Sequence, residues 1–225
     1  MLDHYELKEK NIKFIEEINR IHNEGHTKDL GFGHDIMHSE MTACYALVIG
    51  ESEIDKLKGW YASMLHSLDR VLEDESKLSE ILKELLSYTE FNLKDKPREN
   101  EEICKAVLDH ELPNNNKDSV TKIILQDADR LANISPAIII RAGQFRYNIP
   151  TFELDYLDFD KNPESTYHKP KSSLDDLRSL LEWEKDPKYC LRLPRAKELG
   201  TKYFEYIKEF INRLRTSLEE IGLKK

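Results

Sequence analysis

Cysteine is scarce in this chain of 225 residues: there are three, an odd number, at positions 44, 104 and 190. None stands near another at the spacing of a metal clip, so a disulfide framework and a thiolate zinc site are excluded. The thiols read as buried or idle in a reducing compartment. Long apolar runs are missing as well. No stretch approaches the ~18 residues needed to cross a bilayer, and the opening MLDHYELKEK is polar and charged. A membrane span and a secretory signal are therefore not expected, and the expected setting is cytoplasmic. Basic charge is in deficit. With 34 Lys and Arg against 43 Asp and Glu the net charge is −9, which disfavours unspecific attraction to a nucleic-acid backbone. A small anionic substrate would then need a local basic pocket or a metal. There is no internal repeat and no low-complexity tract. A chain of this length buries roughly 70% of its unfolded surface, enough for a core without cross-links.

What is present is helical periodicity. Leu7, Phe14, Ile18 and Ile21 form one stripe, with Gly25 placed to end it. A second helix is expected from about Asp35 to Gly50, a third over 55–69, and a fourth through Leu78, Ile81, Leu82, Leu85 and Leu86. Residues 99–110 follow, and Pro113-Asn114-Asn115-Asn116 breaks the pattern as a loop. Ser119 or Asp118 caps the next helix, on which Ile123, Ile124, Asp127 and Leu131 share a face. A short helix follows Pro136. Between about Asn148 and Ser172 prolines, acids and tyrosines read as one long irregular insertion, after which two helices cover 174–185 and 195–220. The expectation is an all-α single domain.

The chemistry-bearing residues are histidines and aspartates. His34 and His38 lie four apart at the start of a helix and share a face. His66 ends the apolar run WYASMLHS, with Asp69 three residues on, and Asp127 follows the apolar run KIILQ. A lone buried aspartate is costly unless a cation or hydrogen-bond donors meet it. Each has an ordinary alternative. His34 alone reads as exposed or capping, His66 as a hydrogen-bonded core histidine, Asp127 as the partner of Arg130, and His110 as a helix-end residue. The GFG at 31–33 is not a phosphate loop, since neither a strand before it nor a lysine after it supports one.

Taken in order, HDIMH at 34–38, MLHS at 64–67 and LQDADRL at 125–131 resemble the HD superfamily of metal-dependent phosphohydrolases. The nearest likeness is to its small bacterial HD-domain hydrolases, which open with His-Asp-x-x-His and close with Asp-Ala-Asp-Arg-Leu. The resemblance spans about residues 30–145 and, more loosely, the C-terminal helices. It implies an HD-like helical bundle with His38, His66 and Asp127 as ligands of a divalent manganese, iron, cobalt, nickel or zinc ion. It also puts His34, Asp35, Ser67, Arg70 and Arg141 around the pocket, and His110 and Arg130 in contact with phosphate. Arg146, Lys169 and Lys171 are further phosphate candidates, and Tyr147, Tyr156 and Tyr167 candidates for stacking on a base.

One position departs from the family. Its signature pair is His-Asp, and here it is His66-Ser67. A hydroxyl in place of a carboxylate removes an anionic ligand. Asp69, one turn beyond His66, is a candidate replacement as ligand and as the group that orients water, since carboxylate and histidine at i and i+3 ligate metals together. Alternatively two histidines and one carboxylate suffice, with water completing the shell. Two functions follow: hydrolysis of a phosphate ester or anhydride, perhaps a nucleotide, or binding of a nucleotide or protein partner without turnover.

Overall fold

The computed structural model describes residues 2–28, 30 and 35–223, Phe145 by its backbone alone. The fold is all-α; among the described residues the sole β feature is an isolated bridge between Thr166 and Lys169. The chain divides into two compact units, Met1–Ala132 with Arg192–Ala196, and Asn133–Leu191 with Lys197–Lys225.

In the first unit α1 (His4–Lys10) and α2 (Ile12–His26) carry the N-terminal stripe, parted at Asn11. Gly25 does not end α2 but lies inside it, pressed against Val71. The Asp35 side chain caps α3 (Ile36–Ile49) by accepting the His38 N–H at 3.0 Å. Ser52 caps α4 (Glu53–Leu65) in the same manner. The expected third helix is interrupted at His66-Ser67, after which one turn, α5 (Leu68–Val71), resumes. Then come α6 (Leu78–Leu86), α7 (Pro97–Leu108) and α8 (Val120–Ile134), whose last two residues fall in the second unit. Phe14, Ile18, Trp60, Tyr61, Met64, Leu65, Leu82, Leu86, Phe91 and Ile103 fill one core. Each large side chain buried there contributes about 1.5–3 kcal/mol relative to exposure.

Small residues bring three helices together in this unit. A Cβ on Gly59 of α4 would sit 2.5 Å from Ile124 Cγ2 of α8 and 3.4 Å from Ala46 Cβ of α3. His38, His66 and Asp129 lie about one and a half to two turns along their chains from that layer, counting 3.6 residues per turn.

The second unit contains α9 (Ile138–Phe145), α10 (Ser173–Glu182) and nearly all of α11 (Pro194–Glu220). Leu157, Leu174 and Leu218 form its apolar centre, with Phe152, Ile211 and Leu214 packed on them. The long insertion holds one 3-10 turn, Leu154–Tyr156, and is tied down by arginines. The Arg178 guanidinium donates to the Tyr156 and Leu157 carbonyls at 3.0 and 2.8 Å, and Arg146 to the Tyr167 carbonyl at 3.1 Å and to Asp176.

Candidate metal centre

Three side chains, from α3, the turn after α4 and α8, converge in the first unit. His38 Nε2 and His66 Nε2 are 3.3 Å apart, and Asp129 Oδ1 lies 3.0 Å from the first and 3.5 Å from the second. Neighbouring ligands on a divalent ion at about 2.1 Å are about 3.0 Å apart at octahedral angles and about 3.4 Å at tetrahedral ones. The triangle of nitrogen, nitrogen and oxygen has those dimensions, and it is the one group of three or more such side chains close enough to share an ion among the described residues.

Tautomers follow from the surrounding carbonyls. His66 Nδ1 is 2.6 Å from Ser63 O, an acceptor only, so Nδ1 carries the proton and Nε2 offers a lone pair to the cluster. A ring N–H held by a backbone carbonyl is the usual support of a metal-bound imidazole. Asp129 faces this pair as a carboxylate. Burial pushes its pKa up, but the hydrogen bonds and charges of His38 and His66 outweigh that and hold it well below the ordinary range. Lone pairs of His66 Nε2 and Asp129 Oδ1 therefore point at the same small volume, an arrangement a proton or a cation stabilises. Both imidazoles are buried, whereas the Asp129 side chain is 23% exposed, so the cluster opens to solvent on the carboxylate side.

Around the triangle, Ser67 Oγ is 3.1 Å from His66 Nε2 and 1% of Ser67 is exposed. Ser67, directly after His66, thus reaches the cluster itself. His110 stacks its ring edgewise on His66 with centroids 5.5 Å apart, and its Nδ1–H donates to Val107 O at 2.6 Å. Burial, reinforced by His66, pushes the His110 pKa down against the opposing pull of Asp129 and Asp69. A neutral His110 with Nε2 directed away from its own helix is the result. Asp35 acts at one remove, by capping the helix that presents His38.

Several expected residues are placed otherwise. Asp127 is not the carboxylate of the triangle. Its Oδ2 accepts the backbone N–H groups of Arg192 and Leu193 at 2.8 and 2.7 Å, just ahead of α11, and its Oδ1 is 3.8 Å from Arg130. Burial pushes the Asp127 pKa up, against those two donors, as suits a structural anchor. Two residues advance a helix by about 200°, so Asp127 and Asp129 face opposite ways and only one can meet the histidines. The sequence contains both on a helix buried on nearly every side: Asp127 shares a face with Ile124 and Leu131, Asp129 with Leu125 and Ala132. Hydrophobic pattern alone does not choose between two apolar faces.

Asp69 does not join the ligand triangle. Its Oδ2 is 3.4 Å from Arg70 Nε, while its buried Oδ1 has no hydrogen-bond partner among the described residues. Arg70 pairs with Glu111 as well, and Arg130 donates to Asn114 Oδ1 at 2.8 Å, so both guanidinium groups are engaged by acceptors other than the cluster. Arg141 belongs to the second unit, where it donates to Asn133. Lys171 pairs with Glu164, Tyr167 stacks on Trp183 and His168, and Tyr147 is exposed. His34 lies outside the described residues.

Compared with family models, curated proteins and solved structures, the chain matches none.

Proposed function

We propose that this chain is a divalent-metal-dependent phosphohydrolase whose ion is held by His38, His66 and Asp129. The observation that carries the reading is the triangle itself: two imidazole nitrogens and one carboxylate oxygen within 3.5 Å of one another, from α3, the turn after α4 and α8, with the His66 lone pair turned inward by Ser63. Two nitrogens and one carboxylate oxygen suit manganese, iron, cobalt, nickel or zinc and leave coordination positions for water and substrate. A bound ion supplies positive charge and Lewis acidity to a phosphoryl group and to water near neutral pH.

The chain's own side chains account for the rest. Asp129, the half-buried member, holds its charge on the solvent side of the pocket, where a substrate would enter. His110, neutral, close to His66 and with its Nδ1 proton committed to Val107, offers an Nε2 lone pair that accepts a hydrogen bond or a proton from water at the site. Asp69, with an unpartnered buried oxygen, is an acceptor available to orient water. For a chain of net charge −9 a cation is what draws an anionic substrate to this point. The substrate class is a phosphate ester or anhydride, a nucleotide among the candidates.

Ser67 favours a second reading, in which the site binds a nucleotide or partner without turnover, because a hydroxyl replaces an anionic ligand. Both are tested on protein purified without a metal-affinity tag and titrated with manganese, cobalt, nickel and zinc. Near-stoichiometric binding with metal-dependent hydrolysis of a generic phosphate ester is expected. Ion binding without turnover selects the second reading, and no binding at all leaves His38, His66 and Asp129 as a hydrogen-bonded core network.

A further inference from the structure

One buried imidazole is not accounted for by the site as described. His22, on α2, is 2% exposed, and neither of its ring nitrogens has a hydrogen-bond partner among the described residues. A buried donor and a buried acceptor left unmade are each costly, so an imidazole with both is a poor core residue. Its position says what it faces. Three residues on, Gly25 is pressed so closely on Val71 that an added Cβ would come within 2.5 Å of the Val71 carbonyl oxygen. Residues at i and i+3 share a helix face, so His22 looks toward the same strip of chain. That strip is α5, which begins directly after His66-Ser67.

The titratable groups around His22 are His26, His66, Asp35 and His38, which belong to its own helix, to the turn before α5 and to the start of α3. Burial, with the three histidines pressing in the same direction and Asp35 opposing, lowers the His22 pKa to about 4. The ring is therefore neutral, with one N–H to give and one lone pair. His26 stands edge-on to it with centroids 6.1 Å apart and is exposed, so it marks the solvent side.

We propose that His22 is a substrate-binding residue whose N–H donates to an oxygen of the phosphate group held beside the metal. This rests on the phosphohydrolase reading above. The alternative, that His22 is a further ligand of the same ion, does not fit the geometry: its nitrogens are not within the 4.8 Å that unites His38, His66 and Asp129. They lie outside the group that would form the ion's own shell, while His66 and His38 are among the charges that act on the ring. A neutral N–H also suits a phosphate that already has its charge met by a cation, since it adds a directed hydrogen bond without a second buried charge.

The experiment measures binding of inorganic phosphate to the manganese-loaded full chain by calorimetry, beside metal affinity and unfolding midpoint, for wild type, His22→Leu and His22→Asn. The leucine variant is expected to keep the metal affinity and the midpoint, because it deletes groups that have no partner, yet to bind phosphate at least tenfold more weakly. The asparagine variant, which keeps an N–H donor, is expected to recover most of the loss. Equal phosphate binding in wild type and His22→Leu would overturn this proposal while leaving the phosphohydrolase reading intact. Wild type that binds manganese but no phosphate would overturn both. Should His22→Leu lower metal affinity and midpoint together with phosphate binding, His22 supports the fold or the ion rather than the substrate, and the proposal again fails.

Discussion

At the scale of single residues, position 67 has the clearest consequence. Its hydroxyl lies 3.1 Å from the His66 nitrogen that faces the cluster, so a longer carboxylate there reaches the same space. Ser67→Asp adds an anionic oxygen to a set of two nitrogens and one oxygen, and hard divalent ions gain from that. Affinity for manganese is expected to rise about tenfold or more, equivalent to about 1.4 kcal/mol, with phosphate-ester hydrolysis rising or appearing. Unchanged affinity in a metal titration would mean that residue 67 does not face the ion. The histidine pair was singled out in the sequence by the order and spacing of HDIMH and MLHS rather than by either residue alone, and the two rings do meet. The carboxylate was not. Asp127 and Asp129 sit on a helix buried nearly all round, and only the backbone N–H groups of Arg192 and Leu193, more than 60 residues away, claim one of them and leave the other to the histidines.

Among the elements, the contact of α3, α4 and α8 at Gly59 governs the site. Adding a methyl group there forces Ile124 aside, and overpacking of this kind costs about 1–3 kcal/mol. Gly59→Ala is expected to lower the unfolding midpoint and, on the proposed function, to weaken metal binding in parallel, since His38 and Asp129 project from α3 and α8 and His66 from the end of α4; calorimetric unfolding and metal titration of one preparation would check it. The link between α7 and its neighbours adds a pH dependence. Glu102 accepts from Lys58 Nζ at 2.8 Å and from the Thr121 hydroxyl at 2.6 Å, joining α7 to α4 and α8. Burial presses its pKa upward, but those two partners prevail and hold it below the usual 4.5. A carboxyl depressed in the folded state stabilises above its unfolded pKa, and that stability is lost as pH falls through the folded value. The advantage of wild type over Glu102→Gln in unfolding midpoint is therefore expected to be full near neutrality and to shrink below pH 4.5; a constant difference down to strongly acidic pH would contradict it. Most helices were readable from apolar spacing and capping residues, α3 between Asp35 and Gly50 above all. The interruption at His66-Ser67 was not, because Leu65 and Leu68 continue the apolar pattern across it while His66 turns inward to its own backbone at Ser63.

For the molecule as a whole, the proposed function asks a chain of net charge −9 to take an anion, and a cation held by His38, His66 and Asp129 would reconcile the two. On the proposed function the carboxylate that holds that cation is Asp129 and not Asp127. Elemental analysis of untagged wild type, Asp129→Asn and Asp127→Asn, each loaded with manganese and passed through a desalting column, puts the question directly. Asparagine at 127 keeps a carbonyl oxygen for the Arg192 and Leu193 N–H groups, so that variant should fold and retain close to the wild-type metal content. Asparagine at 129 removes the anionic ligand and should leave little or none. Metal lost from Asp127→Asn and kept by Asp129→Asn would contradict the account at its centre.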